Sequence, residues 1–299
     1  GKREVIIDGT LNGMGKCAGN LNTELLVDYL VRKRNYDYDF DAILDIIDDH
    51  IYNYHLQHQW GYSIPALMGG IYRSHPNNII YLTEKFRLAT KDIKYIISMI
   101  DPDKRMRYDY DNIQRLYQEY NHVKVDDKEN LALLQRILKG KKILLLMPGQ
   151  SISQYKDEIL KKIEAENLFV ITVNFRDETF DKYSELAFWG SQKRYEHYTD
   201  LRKEVTSLIT SNIESDMEDD IIVNYDSFVD RTQEYSDNAS LMLMRILQRV
   251  GVVSYYVAGF DGFTVNGSYY NKTDFSEERF RSQYESINKG VAHQLSMFA

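Results

Sequence analysis

Two glycine-rich turns carry the residues whose types and spacing could do chemistry. The first lies in "DGTLNGMGKCAGNLNTELL", Asp8 to Leu26, where Gly9, Gly13, Gly15 and Gly19 precede Asn20 and an amphipathic run. An amide oxygen on such a loop is a hard ligand suited to Mg or Mn. Cys17 shares the loop without an identifiable base partner, and reads as a passive small residue rather than a nucleophile. The second turn, "LLLMPGQSIS", puts Gly149, Gln150 and Ser151 between an apolar run and a helix. Backbone N–H groups at a helix start, with the positive end of its dipole, are a natural place for a phosphate. No Gly-Lys-Ser/Thr follows, so this is not a Walker A loop, and the three-glycine dinucleotide spacing is absent.

Further polar residues stand at corresponding places downstream. "VNFR" presents Asn174 after an apolar run, and "FWGSQKRYEHY" supplies Ser191, Gln192 and Lys193. "EYSDNAS" puts Ser236 and Asn238 in a polar turn before a helix, and "YYVAGFDGF" ends in Gly259, Phe260, Asp261 and Gly262. Asp261 is either a ligand group or an Asp bonding its own backbone. His55 and His58 share a helix face at i, i+3, with His50 nearby; metal binding and surface packing are the two readings. Arg279 and Arg281 could meet a phosphate bidentately or line a solvated helix face.

The elements that must position these residues change character along the chain. "EVII", residues 4–7, reads as a short buried strand leading through the glycine loop to a helix capped at Asn22 or Thr23. From there to about residue 138 apolar residues recur at helical spacing, with Pro, Gly and Asn marking the turns. Beyond it, "KILLLM", "LFVITVNF", "ELAFWG", "SLITSNI", "DIIVNY" and "SYYVAGF" read as strands separated by helices. Continuous apolar strands alternating with helices predict a mostly parallel, Rossmann-like α/β sandwich covered on both faces. The expected division is a mostly helical segment over 1–138 and an α/β domain over 139–299.

At 299 residues and 43% hydrophobic content the chain has material for two cores. A net charge of -8 argues against nucleic acid as the main partner. One cysteine excludes a disulfide framework and fits a reducing cytoplasm. No apolar run approaches a membrane span, and no signal peptide is evident. The 24 tyrosines are scattered, as expected of core and interface packing, and homo-oligomers are compatible with them.

Residues 4–30 resemble the eighth βα unit of the DRE-TIM metallolyases, the metal-dependent aldolases and lyases that include 3-hydroxy-3-methylglutaryl-CoA lyase and 4-hydroxy-2-oxovalerate aldolase. "QWGYSIPALMGGIYRSHPN" is similar to post-barrel helical sequence of that family. The resemblance implies a TIM barrel and makes Asn20 a ligand of a divalent metal, Mg or Mn, in a complete barrel. The family's metal also needs an Asp from the first strand and a His pair from the seventh, and this chain has neither strand. Residues 2 to about 30 are therefore expected to be the last piece of a barrel, without aldol or lyase chemistry in this polypeptide.

Residues 140–272 resemble bacterial sialyltransferases that use CMP-sialic acid and, more loosely, the family of 6-hydroxymethylpterin pyrophosphokinases. That resemblance implies a CMP-type nucleotide or nucleotide-sugar contacted by Gly149, Gln150, Ser151, Asn174, and the turn from Ser236 to Asn238, with Ser191 and Asp261 along the same crevice. The transferases place a His base after the last motif, followed by tyrosines. Here "DFSEERFRSQYESINKG" has Tyr284 but no His before His293, so the general base is unassigned. Three functions remain open: a nucleotide-sugar site joined to an aldolase, a Mg- and ATP-dependent phosphotransferase, and a non-catalytic regulatory or oligomerisation module.

Overall fold

A computed structural model describes residues 5–264 and 278–298, apart from Cys17, Gln59, Arg87, Ala89 and Arg231, with residues 278–280 described by backbone alone. Cys17 and the Arg279 side chain thus lie outside the described residues. The chain forms two compact units, Gly1–Tyr117 and Gln118–Ala299.

The first unit contains α1 (Thr23–Arg34), α2 (Phe40–Ile46), α3 (Tyr52–Gln57), α4 (Ile64–Tyr72), α5 (Pro76–Lys85), α6 (Thr90–Met99) and the start of α7 (Tyr110–Asn121). Ser63 caps α4 by accepting from Ala66 N–H, and Pro76 opens α5 at a position where its missing N–H costs nothing. Helices α4, α5 and α6 pack on one another, burying Met68, Ile79, Leu82, Ile93, Ile96 and Ile97. Earlier in the chain burial is sparse: among described residues 5–60 only Gly13 and Val27 are buried. Val5, Ile6 and Ile7, expected as part of a buried strand, lie in no strand and are 72%, 87% and 54% exposed. Consecutive side chains of an extended segment point to opposite sides, so burying all three takes cover on both faces. The sequence pattern asks for a covered strand, and the first unit does not cover it.

The second unit is built on six strands: β1 (Ile143–Leu146), β2 (Phe169–Val173), β3 (Ser184–Trp189), β4 (Thr206–Thr210), β5 (Ile221–Val223) and β6 (Tyr256–Ala258). Their order is β5-β4-β3-β2-β1-β6, and each neighbouring pair is parallel. Four fall within the apolar runs named above, and β3 and β4 each begin one residue before theirs. The helices are α8 (Lys128–Leu138), α9 (Ser151–Gln154), α10 (Lys156–Glu166), α11 (Gln192–His197), α12 (Thr199–Glu204), α13 (Ala239–Arg249) and α14 (Tyr284–Leu295). Alternation sends Ile143, Leu145 and Met147 to one face with Leu134 and Leu138 of α8 and Leu243 and Leu247 of α13. Leu144 and Leu146 go to the other face with Ile152 of α9 and Ile163 of α10. Further along that face, Ala187, Trp189 and Ile209 meet Tyr195 of α11 and Leu201 of α12. Helix α8 belongs to this unit because Leu134 and Leu138 complete its core, whereas sequence character alone places the division after that helix.

From β1 to β5 the chain steps across the sheet in one direction, then returns through α13 to lay β6 on the free side of β1. Direction therefore reverses at β1, which makes the carboxyl ends of β1 and β6 the switch point of the sheet. Leu145 is fully buried in the interior strand β1. Leu145→Ala is expected to destabilise the chain by about 2–5 kcal/mol, read as a lower urea midpoint of the second unit's transition.

Candidate functional site at the carboxyl edge of the sheet

At the switch point the turns after β1 and β6 touch backbone to backbone. Gly149 N–H donates to Gly259 C=O at 2.9 Å, and Met147 N–H to Ala258 C=O at 2.9 Å. Neither glycine has room for a side chain: a Cβ on Gly149 would lie 2.4 Å from the Gly259 carbonyl, and one on Gly259, at φ +75°, 2.0 Å from the Met147 carbonyl. That contact delivers Asp261 to the start of α9. Its carboxylate accepts from Ser151 N–H at 2.7 Å and from the Ser151 hydroxyl. Gly149, Ser151 and Asp261 are thus brought together as expected, with Gln150 exposed between them. Asp261 bonds the β1 turn rather than its own backbone, and so occupies the first N–H of α9.

A second cluster joins the turns after β2 and β3 to the start of α13. Asn174, in the left-handed region at φ +58°, accepts from Gly190 N–H on its side-chain oxygen at 2.8 Å. Its carbonyl accepts from buried Arg194 at 3.4 Å. A Cβ on Gly190 would stand 2.8 Å from the Ala239 methyl, so glycine is what lets α13 approach β3. Asn238 caps α13, accepting from Ser240 N–H at 3.0 Å and Leu241 N–H at 3.3 Å. Ser191 and the buried Ser236 lend their carbonyls to Arg194 and Arg245, while both hydroxyls stay without a hydrogen bond among the described residues. Tyr284 is no phosphate-facing residue; it is buried and stacks on Phe263 at 4.7 Å.

Two polar groups in this unit carry no local sequence signal. Tyr195 donates to Asp216 at 2.9 Å and also bonds Asp220, while Arg202 pairs with Asp216 and lies over the Tyr195 ring. The Arg202 hydrogen bond, with help from Tyr195, lowers the Asp216 pKa to about 2. Burial, followed by the bond to Asp220, raises that of Tyr195. The second group is His122, whose Nδ1 pairs with Asp226 from 104 residues away. Pairings at such separation leave no spacing to read.

In the first unit the glycine loop is tightly folded. Thr10 bridges Asn22, Asn20 N–H donates to Gly13 C=O at 2.9 Å, and Trp60 Nε1 donates to Asn12 C=O at 2.8 Å. A Cβ on Gly19, at φ +84°, would lie 2.5 Å from that Gly13 carbonyl. The Asn20 amide nitrogen donates to the Met14 carbonyl at 2.9 Å. An acceptor there requires the NH2 side, which turns the exposed Asn20 oxygen away with no donor of its own among the described residues. That oxygen fits a hard cation, but no group of three or more His, Cys, Asp or Glu that could hold a metal occurs among the described residues. His55 and His58, open to either metal binding or packing from their spacing, pack on aromatics: His55 against Trp60 at 4.3 Å and His58 against Tyr54 at 4.6 Å.

Gly251 and Gly259 both have positive φ, +85° and +75°, but only Gly259 is crowded; the nearest atom to a Cβ on Gly251 is the flexible Gln135 amide at 3.8 Å. Gly251→Ala is expected to cost about 1–2 kcal/mol from backbone strain alone. Gly259→Ala is expected to cost clearly more in the same urea titration, because the crossing of the two turns must open. No helix among the described residues is long and apolar enough to cross a membrane. No protein-family model matches the chain, and no curated protein or solved structure does either.

Proposed function

We propose that the second unit is a nucleotide- or nucleotide-sugar-binding module of glycosyltransferase type, and that residues 2 to about 30 are the last βα unit of an aldolase-type barrel. The observation that carries the first half is the convergence at the carboxyl edge of the turns after β1, β2, β3 and β6 with the start of α13. Open parallel sheets bind ligands at such a switch point. The unbonded Ser191 and Ser236 hydroxyls are the groups left to meet a ribose or base. For the barrel half, the support is the uncovered Val5–Ile7 run and the outward Asn20 oxygen, which would join a Mg or Mn ion completed by ligands from other strands.

The bonds between Asp261 and Ser151 have a functional consequence. A hydrogen bond to a charged group contributes about 1.5–3 kcal/mol, so a phosphate entering at Ser151 must first displace Asp261. This favours, as the second reading, a regulatory module whose crevice is closed by its own carboxylate. The phosphotransferase reading, with Mg and ATP, gains no comparable support from the residues around Asp261.

A thermal-shift screen of the whole chain against CMP, UDP, ADP, ATP and GDP, with and without Mg, tests the proposal. Ligand at a hundredfold over Kd stabilises the native state by about 2.7 kcal/mol, so a modest site is visible. CMP or UDP is expected to raise Tm without Mg, Asn174→Ala to abolish the shift, and Asp261→Asn to enlarge it. A shift with ATP only in the presence of Mg would move the reading to phosphotransfer. No shift with any nucleotide, in either the wild type or Asp261→Asn, would overturn the nucleotide reading.

A further inference from the structure

We propose that His122 is a general base at the carboxyl ends of β4 and β5, acting on a hydroxyl of a neutral, polyhydroxylated substrate of the sugar class. The inference rests on the nucleotide-sugar reading and adds its acceptor side. His122 follows α7, and Asp226 lies in the short turn Tyr225–Ser227 after β5, so the pair sits on the same edge of the sheet as Asn174 and Ser191. A carboxylate on Nδ1 holds the proton there and leaves the Nε2 lone pair as the acceptor. Among the described residues Nε2 has no hydrogen bond, and the His122 side chain is 43% exposed over an Asp226 that is 19% exposed. This is the arrangement of an oriented base: an accessible ring nitrogen backed by a shielded carboxylate.

The surroundings select the substrate. Asn121, 6% exposed, accepts from Asn212 at 3.3 Å, and Asn212 accepts from the Thr210 hydroxyl at 2.7 Å. Asn224 donates to the Ser227 hydroxyl at 3.0 Å, while its own side-chain oxygen is enclosed and accepts nothing. An enclosed oxygen without a donor calls for a missing one, which an ordered water would supply. Glu214, shortly after the carboxyl end of β4, and Asp226 itself disfavour an anion. Amides and hydroxyls that both donate and accept match sugar hydroxyls. From β3 to β5 is two strand spacings, about 10 Å, so a donor held over β1–β3 can direct its sugar toward this group.

The step balances. The acceptor hydroxyl oxygen bonds the anomeric carbon of the nucleotide-sugar as the bond from that carbon to the phosphate oxygen breaks. The phosphate oxygen keeps the electron pair and leaves with the nucleotide. The hydroxyl proton passes to His122 Nε2, and the imidazolium, held by Asp226, returns it to water. His122 touches the reacting hydroxyl; Asp226 is a positioning residue.

Imidazole 15N NMR of the full chain tests this without a known donor. His122 is expected to be the Nδ1–H tautomer when neutral, with an Nε2 resonance that moves on saturation with methyl glycosides of glucose, galactose or N-acetylglucosamine and not with inorganic phosphate. Asp226→Asn is expected to alter the tautomer balance of that ring while the folded spectrum persists. An Nε2–H tautomer, or an Nε2 resonance indifferent to every glycoside, overturns the proposal. Nucleotide thermal shifts, expected to be unchanged in His122→Gln, separate its failure from failure of the nucleotide site. Where CMP-sialic acid or a UDP-hexose supports transfer to a glycoside, His122→Gln is expected to lower the rate by about 10²–10⁴-fold, and an unchanged rate also overturns it.

Discussion

The second unit depends on two backbones crossing where no side chain fits. Gly149 and Gly259 let the turns after β1 and β6 meet, and a Cβ at either position would overlap the other strand's backbone. Everything chemical at that end of the sheet follows from the contact. It places Asp261 on Ser151, and it fixes the switch point beside which Asn174 and Gly190 anchor the start of α13. Overpacking at such a crossing cannot relax by a rotamer change, because the opposing atoms are carbonyls of paired backbone.

The crossing also accounts for the electrostatic character of the crevice. A helix start without an acidic partner would hold its N–H groups open to an anion. Here a carboxylate of the same chain, that of Asp261, already accepts from Ser151 N–H. Beside it, Asn174 and Asn238 are engaged in holding turns and the hydroxyls of Ser191 and Ser236 are left unbonded.

The central strands β1 and β2 were legible because a strand buried on both faces is written as a nearly unbroken apolar run, each followed by a polar turn at the same edge. The turn residues were legible for the same reason: Gly149, Ser151, Asn174 and Asp261 all follow a strand's last apolar residue. What they bond was not, since the partnership of Asp261 with Ser151 spans 110 residues. His122 was hidden too, in a stretch read as part of the helical segment, and its link to Asp226 exists only once β5 is in place. Val5–Ile7 shows the reverse case, an apolar pattern that states a need for cover on both faces which the first unit does not meet.

The most direct test of the account is a crystal structure of the full chain with CMP bound. The account predicts the nucleotide phosphate on the Ser151 N–H and hydroxyl, the Asp261 carboxylate displaced, and the ribose or base against Asn174, Ser191 and Ser236. Asp261 still seated on Ser151, with CMP absent or bound away from the carboxyl edge, would contradict it.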